Sequence, residues 1–267
     1  MANNRAKITA LIPAFNEAQN LPACLESVRW ADEIFVVDSF STDATPDIAR
    51  QFGARVVQHE YVNSATQKNW AIPQASHEWV LIVDADERVT PGLRDEILRV
   101  LQTGGDGSAG FSIPRKNFFF GKEIRYCGWD TDRVIRLFRR DLGRYQDRSV
   151  HADMLLDGKL GYFTQPFEHY TYLTMDQYFE KFRRYTTWSA NDLYKHGKKP
   201  SFTNLTLRPL FRFLKMYVLR RGFLDGKHGL ILCSLAAMSV FTKYARLWAM
   251  RLNPPQADPP SPPKTDS

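Results

Sequence analysis

The chain has 267 residues, 43% of them hydrophobic and 24% charged, a balance that excludes wholesale disorder and a fibrous repeat and suits one enzyme domain with an appended region. Its three cysteines, Cys24, Cys127 and Cys233, are widely spaced with no CxxC, which argues against a disulfide framework or a cysteine zinc site and fits a reducing, cytoplasmic compartment. The net charge of +7 is unevenly carried: residues 1–170 hold 20 Lys+Arg against 23 Asp+Glu, residues 171–253 hold 15 against four, so the basic part calls for a phosphate-bearing partner, an anionic membrane surface or nucleic acid.

The first apolar run, 8–15, is interrupted by Pro13 and passes straight into polar sequence, so the amino terminus is expected to be folded domain rather than a secretory signal. Residues 8–12 predict a strand, and 20–30 a helix with Leu21, Leu25 and Val28 at helical spacing. A buried strand follows at 34–37, then a helix at 45–52 with Thr45 as N-cap and Pro46 in its first position. A third strand is expected at 54–58 and a helix at 64–74. Residues 79–83 form the most apolar strand, and Thr90-Pro91 opens a helix that Gly104 and Gly105 stop. Apolar strands alternating with helices predict an α/β fold whose parallel sheet is covered on both faces, with ligands beyond the carboxyl ends of the strands.

From 110 to 170 the pattern turns to short strands, aromatics and arginines, as in an α+β acceptor region. Helices are expected at 175–195, 205–221 and 228–251, and the stretch PPQADPPSPPKTDS reads as a disordered tail. The expected organisation is therefore a catalytic α/β domain over 1–170, a basic helical region over 171–253 and a tail over 254–267.

Asp84 and Asp86 follow the most apolar strand one residue apart, so extended backbone turns both carboxylates to one side. Such a pair is a hard-oxygen site for Mg²⁺ or Mn²⁺, whose shell substrate phosphates complete. Taken singly, these carboxylates also read as a solvated turn, Asn16-Glu17 as a helix entry and Asp38 as a turn cap.

Three strand ends together carry a stronger signal: Ala10-Leu-Ile-Pro-Ala-Phe-Asn-Glu17, Ile34-Phe-Val-Val-Asp-Ser-Phe-Ser-Thr-Asp-Ala-Thr45 and Trp79-Val-Leu-Ile-Val-Asp-Ala-Asp86. In this order and spacing they resemble the family 2 glycosyltransferases of the GT-A fold, over roughly residues 7–170. The resemblance implies a Rossmann-like domain that takes a nucleotide-diphosphate sugar donor. It implies that Pro13, Phe15 and Glu17 line the nucleoside pocket, that Asp38 bonds the base, that Lys68 sits near the diphosphate or ribose, and that Asp86 is the main metal ligand.

Inverting sugar transfer needs one carboxylate base on the acceptor side, and Asp132 and Asp153 are the candidates. In the family the acid shortly before an Arg-Leu segment is commonly the base, which favours Asp132. Related sequences read Val-His-Glu where this one reads Val150-His-Ala-Asp153, which weakens Asp153 and leaves His151 as a candidate metal or diphosphate ligand. His169 is a second candidate imidazole. Arg136, Arg139 and Arg140 are expected to decorate a strand and hairpin.

Within 205–221, Leu207, Leu210, Phe211, Leu214, Tyr217 and Val218 share one face, with Arg208, Arg212 and Lys215 beside it. This is the pattern of a basic amphipathic helix lying on an anionic bilayer. The uncharged run 229–242 reaches ~21 Å, short of the ~30 Å hydrocarbon core. The expectation is peripheral association with the inner face of the cytoplasmic membrane, and no nucleic acid, for which no motif is present. Phe118-Phe-Phe-Gly-Lys122, Arg136-Leu-Phe-Arg-Arg140 and Lys243-Tyr-Ala-Arg-Leu-Trp248 resemble the branch of the family with the lipopolysaccharide-core glucosyltransferases. That likeness implies a hexose, glucose from UDP-glucose, and a glycolipid or lipopolysaccharide-core acceptor. The competing expectations are a nucleotidyltransferase and a non-catalytic nucleotide-sugar binder.

Overall fold

The computed structural model describes residues 5–146 and 153–254. The first half alternates as the hydrophobic pattern predicts: β1 (Ile8–Ala14), α1 (Leu21–Ser27), β2 (Glu33–Asp38), α2 (Thr45–Gln51), β3 (Arg55–Gln58), α3 (Ser64–Ala71), β4 (Trp79–Ile82), β5 (Glu87–Val89) and α4 (Pro91–Gln102). Strands β3, β2, β1 and β4 lie side by side and parallel, with Leu11 between Phe35 and Ile82.

The period of two along each strand divides its side chains between two cores. Ile8, Ala10 and Ile12 of β1 and Trp79 and Leu81 of β4 enter a core with Leu93, Ile97 and Leu101, spaced i, i+4, i+8 on α4. Leu11, Val80 and Ile82 point the other way, to Ala71 and Ile72 at the end of α3. Both faces are covered, so the polar ligand edge falls where the strands end.

The second half supplies β6 (Gly110–Phe119), β7 (Lys122–Glu123), β8 (Arg133–Arg139), β9 (Gly143–Tyr145), β10 (Met154–Leu156), β11 (Leu160–Tyr162) and β12 (Phe167–Tyr172), then α5 (Met175–Lys195). β8 pairs antiparallel with β4 and extends the sheet to β6, β12 and β5. In that register His169 of β12 stands beside Glu87 of β5 on one side and Asn117 of β6 on the other. A strand eighty residues away in sequence is thereby set against the turn that follows β4.

One local expectation changes. Thr45 is the first residue of α2 rather than its cap, and its hydroxyl accepts from the Glu17 amide at 2.8 Å, tying the loops after β1 and β2 together. The helix expected over 205–221 is present as α7 (Leu207–Leu214) running on into a π turn at Lys215–Leu219, preceded by a short α6 (Phe202–Leu205) and followed by a 3-10 turn at Gly222–Asp225 and then α8 (Gly226–Leu252). The turn that follows it is constrained by packing. A Cβ at Gly222 would stand 2.8 Å from both the Cys127 sulfur and the Met216 carbonyl oxygen, so the chain passes there only as glycine.

The carboxyl-terminal helices share a core with the sheet: Phe119, Ile124 and Cys127 pack on Met216, Leu232 and Cys233. Buried Asp225 accepts from the Arg125 and Tyr126 amides at 3.1 and 3.0 Å, and Tyr178 of α5 donates to the Leu235 carbonyl of α8. Among the described residues one stretch, Gly222–Leu252, is long and apolar enough to cross a membrane by length and composition. In the structure α8 is packed on α5 and α7, with Gly229, Leu232, Cys233, Tyr244 and Leu247 buried. The stretch expected as a tail lies, from residue 255 on, outside the described residues.

Candidate active site

The parallel strands end together. Ala14 is paired with Asp38, and the loops beyond them carry Phe15 and Phe40, 49% and 55% exposed, as two open rings on one edge. Pro13 is partly buried and Asp38 fully so. The Asp38 carboxylate accepts from the Ser41 amide at 3.1 Å and from Gln58 Nε2 at 3.2 Å, which is the turn-capping bond that a short acid makes after a strand. Glu17 accepts from Asn20 Nδ2 at 2.8 Å. Burial lifts its carboxyl above the ordinary range despite that bond, and the Asp86 and Asp84 charges add to the lift, which places Glu17 in the field of the carboxylate pair.

The two aspartates do different things. Asp84 is engaged through both oxygens: Lys68 Nζ stands 2.8 Å from Oδ1 and Arg136 grips Oδ2. Burial raises its carboxyl, but Arg136 and Lys68 outweigh that and hold it far below the usual range. Arg136 is itself buried, donates to the Tyr145 hydroxyl at 2.9 Å, and keeps a buried Nε with no partner among the described residues. Asp84, expected beside Asp86 as a metal ligand, holds two cations in the structure.

Asp86 faces Lys181 Nζ of α5 at 3.3 Å through Oδ2, and His169 Nε2 at 3.7 Å through Oδ1. Burial pushes its carboxyl up, but His169 and Lys181 prevail and hold it at about 2. The state of His169 follows from its other side. Asn117 Nδ2 donates to Asp132 Oδ2 at 3.0 Å, and a carboxylate only accepts, so Asn117 Oδ1 is the atom 2.7 Å from His169 Nδ1. Nδ1 therefore carries the proton, and in the neutral ring Nε2 turns its lone pair toward Asp86.

Two acceptors facing each other beyond hydrogen-bond reach leave a place for a cation. A proton is one such cation: burial disfavours a charged imidazole, yet Asp86 lifts His169 above its ordinary value. A divalent metal is another, and the donor set fits it. An imidazole oriented through its far nitrogen and one carboxylate is a usual pair of metal ligands. Among the described residues no group of three His, Cys, Asp or Glu side chains is arranged to hold a metal, so the site fits an ion that completes its shell with substrate phosphates. His151 lies outside the described residues; His169 is the imidazole that the fold brings to Asp86.

Asp132, first choice for the base, is tied up. Arg115 Nε and Nη2 donate to its two oxygens, each at 2.9 Å. Burial works against the charge, but Arg115 and Asn117 hold the carboxyl below its ordinary range. Bonded in this way, Asp132 supports Asn117 and through it His169. Asp153 instead is exposed and lines a cavity of about 1020 Å³ between the sheet edge and the helices, together with Lys68, Asp84, Trp129 and Arg136.

Sequence reasoning passed over Asn117 and Lys181 and gave Arg136 a decorative part. No local signal marks Asn117 or Lys181, one inside a strand and one on a helix. Arg136 had a signal, since an arginine among the apolar residues of β8, on a strand facing β4, needs a carboxylate partner to be buried.

Residues 9–154 match the family model described as Glycosyl transferase family 2. The "Lipopolysaccharide core biosynthesis glycosyltransferase LpsC" of Rhizobium meliloti (strain 1021) is 30% identical over 252 residues, covering 89% of this chain and 93% of that one. An uncharacterized glycosyltransferase of Rickettsia felis is 28% identical over 90% of this chain and 89% of its own length. Among solved structures, S. aureus TarS 1–349 in complex with UDP is similar over 92% of this chain and 91% of that one, at 15% identity and a TM-score of 0.46. Glucosyl-3-phosphoglycerate synthase from Mycobacterium tuberculosis, in complex with Mn²⁺ and UDP, is similar over 42% of this chain and 44% of that one, at 23% identity and a TM-score of 0.36.

Proposed function

This chain belongs to glycosyl transferase family 2, and we propose that it moves glucose from UDP-glucose onto a lipopolysaccharide-core or related surface-glycan acceptor at the cytoplasmic face of the membrane. The observation that carries the donor half is the facing pair Asp86 Oδ1 and His169 Nε2, 3.7 Å apart, with Lys68 and Arg136 two residues away on Asp84. The likeness to LpsC supports the acceptor class.

Asp86 and His169 would hold a divalent metal, Mg²⁺ or Mn²⁺, which when bound supplies charge stabilisation for the departing diphosphate. Lys68, Arg136 and Lys181 add positive charge at the same edge. A unit charge about 4 Å from the leaving group, at an effective dielectric of about 20, is worth roughly 4 kcal/mol, and about 1.4 kcal/mol is tenfold in rate. Asp84 keeps Lys68 and Arg136 aimed. Pro13, Phe15, Glu17 and Asp38 line the nucleoside end, the base meeting the Asp38 carboxylate in exchange for its bond from Gln58. On the acceptor side Asp153 takes the proton of the attacking hydroxyl, since it faces the cavity and carries no ion pair among the described residues, whereas Asp132 positions Asn117 and His169.

The membrane reading rests on α7, none of whose residues is buried. Leu207, Leu210, Phe211 and Leu214 stand exposed beside the exposed Arg208, a combination suited to an anionic leaflet.

Calorimetric titration of UDP-glucose, beside UDP-galactose and UDP-N-acetylglucosamine, with and without Mn²⁺, tests the donor assignment. The expected result is Mn²⁺-dependent binding of UDP-glucose, lost in Asp86→Ala. A folded protein that binds none of the three would overturn it.

A further inference from the structure

Four cations around the carboxylate pair are matched: Lys68 and Arg136 on Asp84, Arg115 on Asp132, Lys181 on Asp86. Four on the carboxyl-terminal helices and their turns are not. Arg212 and Lys243 line the 1020 Å³ cavity, and Arg212 also lines an adjoining cavity of about 170 Å³ with Lys215 and Arg220. Among the described residues none of these four has a carboxylate partner within the 4.0 Å of an ion pair. Lys243 has like charges for neighbours instead: burial, and the Arg208 and Arg212 charges, hold its ammonium below its ordinary value. Arg208 itself is turned to the Tyr244 hydroxyl at 2.7 Å.

A row of like charges held at a cavity wall costs free energy that an anion would recover. The two cavities meet at Trp129, which lines both. An indole beside unpaired cations is the pairing that suits a sugar carrying a charged substituent, the ring covering the apolar face of the sugar and the cations taking the charge.

We infer that Arg212 and Lys243, continued by Lys215 and Arg220 past Trp129, form the subsite for an anionic group of the acceptor, a phosphate or carboxylate on the sugar that receives the hexose. The inference rests on the glycosyltransferase reading and narrows its acceptor to an anionic one. The donor diphosphate is served by the separate set of cations at the sheet edge. A lipid headgroup offers the same phosphate chemistry, and Arg212 and Lys215 are exposed on the helix that carries Leu210 and Leu214. Lys243 is half-buried on α8, however, and an anion that reaches it together with Trp129 has to enter the cavity.

The test uses the full chain and soluble probes read by tryptophan fluorescence: mannose 6-phosphate, galacturonic acid and mannose, with inorganic phosphate beside them. Bonds to an ionised group are worth about tenfold in affinity each. Mannose 6-phosphate or galacturonic acid is expected to bind at least about tenfold more tightly than mannose. The double variant Arg212→Gln/Lys243→Gln should remove that preference, and Trp129→Phe should remove the fluorescence change. Vesicles of phosphatidylglycerol and of phosphatidylcholine, sedimented with parent and double variant, separate the sources. Loss of vesicle binding with unchanged sugar-phosphate affinity would assign the strip to lipid and overturn the inference, as would equal affinity for charged and neutral sugars. UDP-glucose with Mn²⁺ titrated into the parent is the control: absence of donor binding sinks the proposed function, whereas donor binding without charge preference sinks only the acceptor subsite.

Discussion

Asn117→Leu separates a structural His169 from a ligating one. Leu keeps the γ-branched shape and removes two bonds at once: the acceptor 2.7 Å from His169 Nδ1 and the donor 3.0 Å from Asp132 Oδ2. Asn117 is buried, 3% exposed, so neither partner is rescued by water at that spot. A neutral buried bond is worth about 1 kcal/mol and one to an ionised group about 1.5–3 kcal/mol, so urea unfolding at pH 7 should show a loss of about 3 kcal/mol. The informative readout is Mn²⁺ affinity. With Nδ1 free, the ring loses its preferred tautomer and its orientation toward Asp86, and such outer partners are worth about 10–100-fold in metal binding. Mn²⁺ titration followed by electron paramagnetic resonance, with UDP present, should therefore weaken by that factor. A folded Asn117→Leu protein with parental Mn²⁺ affinity would refute the reasoning, and His169 would return to a structural role.

The base assignment predicts that Asp153→Asn lowers turnover by at least about 100-fold while UDP-glucose affinity stays, and that Asp132→Asn acts chiefly through Mn²⁺ affinity; turnover at the parental level in Asp153→Asn would reject it. Glu33 accepts from Thr9, Ser76 and Arg55, which outweigh burial and hold it at about 2. A folded value below the ordinary one means that its contribution is complete above about pH 4.5 and disappears as pH falls toward 2, so Glu33→Gln should flatten the acid-unfolding profile across that window. Gly229→Ala would drive a Cβ into the Gly222 carbonyl oxygen, and thermal unfolding should register a loss of about 1–3 kcal/mol or more.

The parallel α/β half was legible because its signals are local: the alternation that sends Ile8 and Ala10 to one core and Leu11 to the other is written residue by residue. So were the three strand ends, since polar residues placed directly after apolar strands must emerge at the carboxyl edge. The partners of those residues were not legible. Asp84 and Asp86 look alike in sequence, and their different surroundings come from Arg136 on an antiparallel strand, His169 on β12 and Lys181 on α5, in the basic carboxyl-terminal block. Asp132 carried the better motif for a base, yet its neighbour Arg115 lies seventeen residues back and meets it only through the pairing of β6 with β8.

Composition and periodicity by themselves determined the four parallel strands, where the polar edge falls and that the carboxyl-terminal block is basic. Only the tertiary structure decided which carboxylate holds two cations, which one faces an imidazole and which cations lack a counter-charge. The physical reason is that burial and hydrophobic period act along the chain, whereas the ionisation and reach of a side chain depend on whichever charges the fold brings within a few ångströms of it.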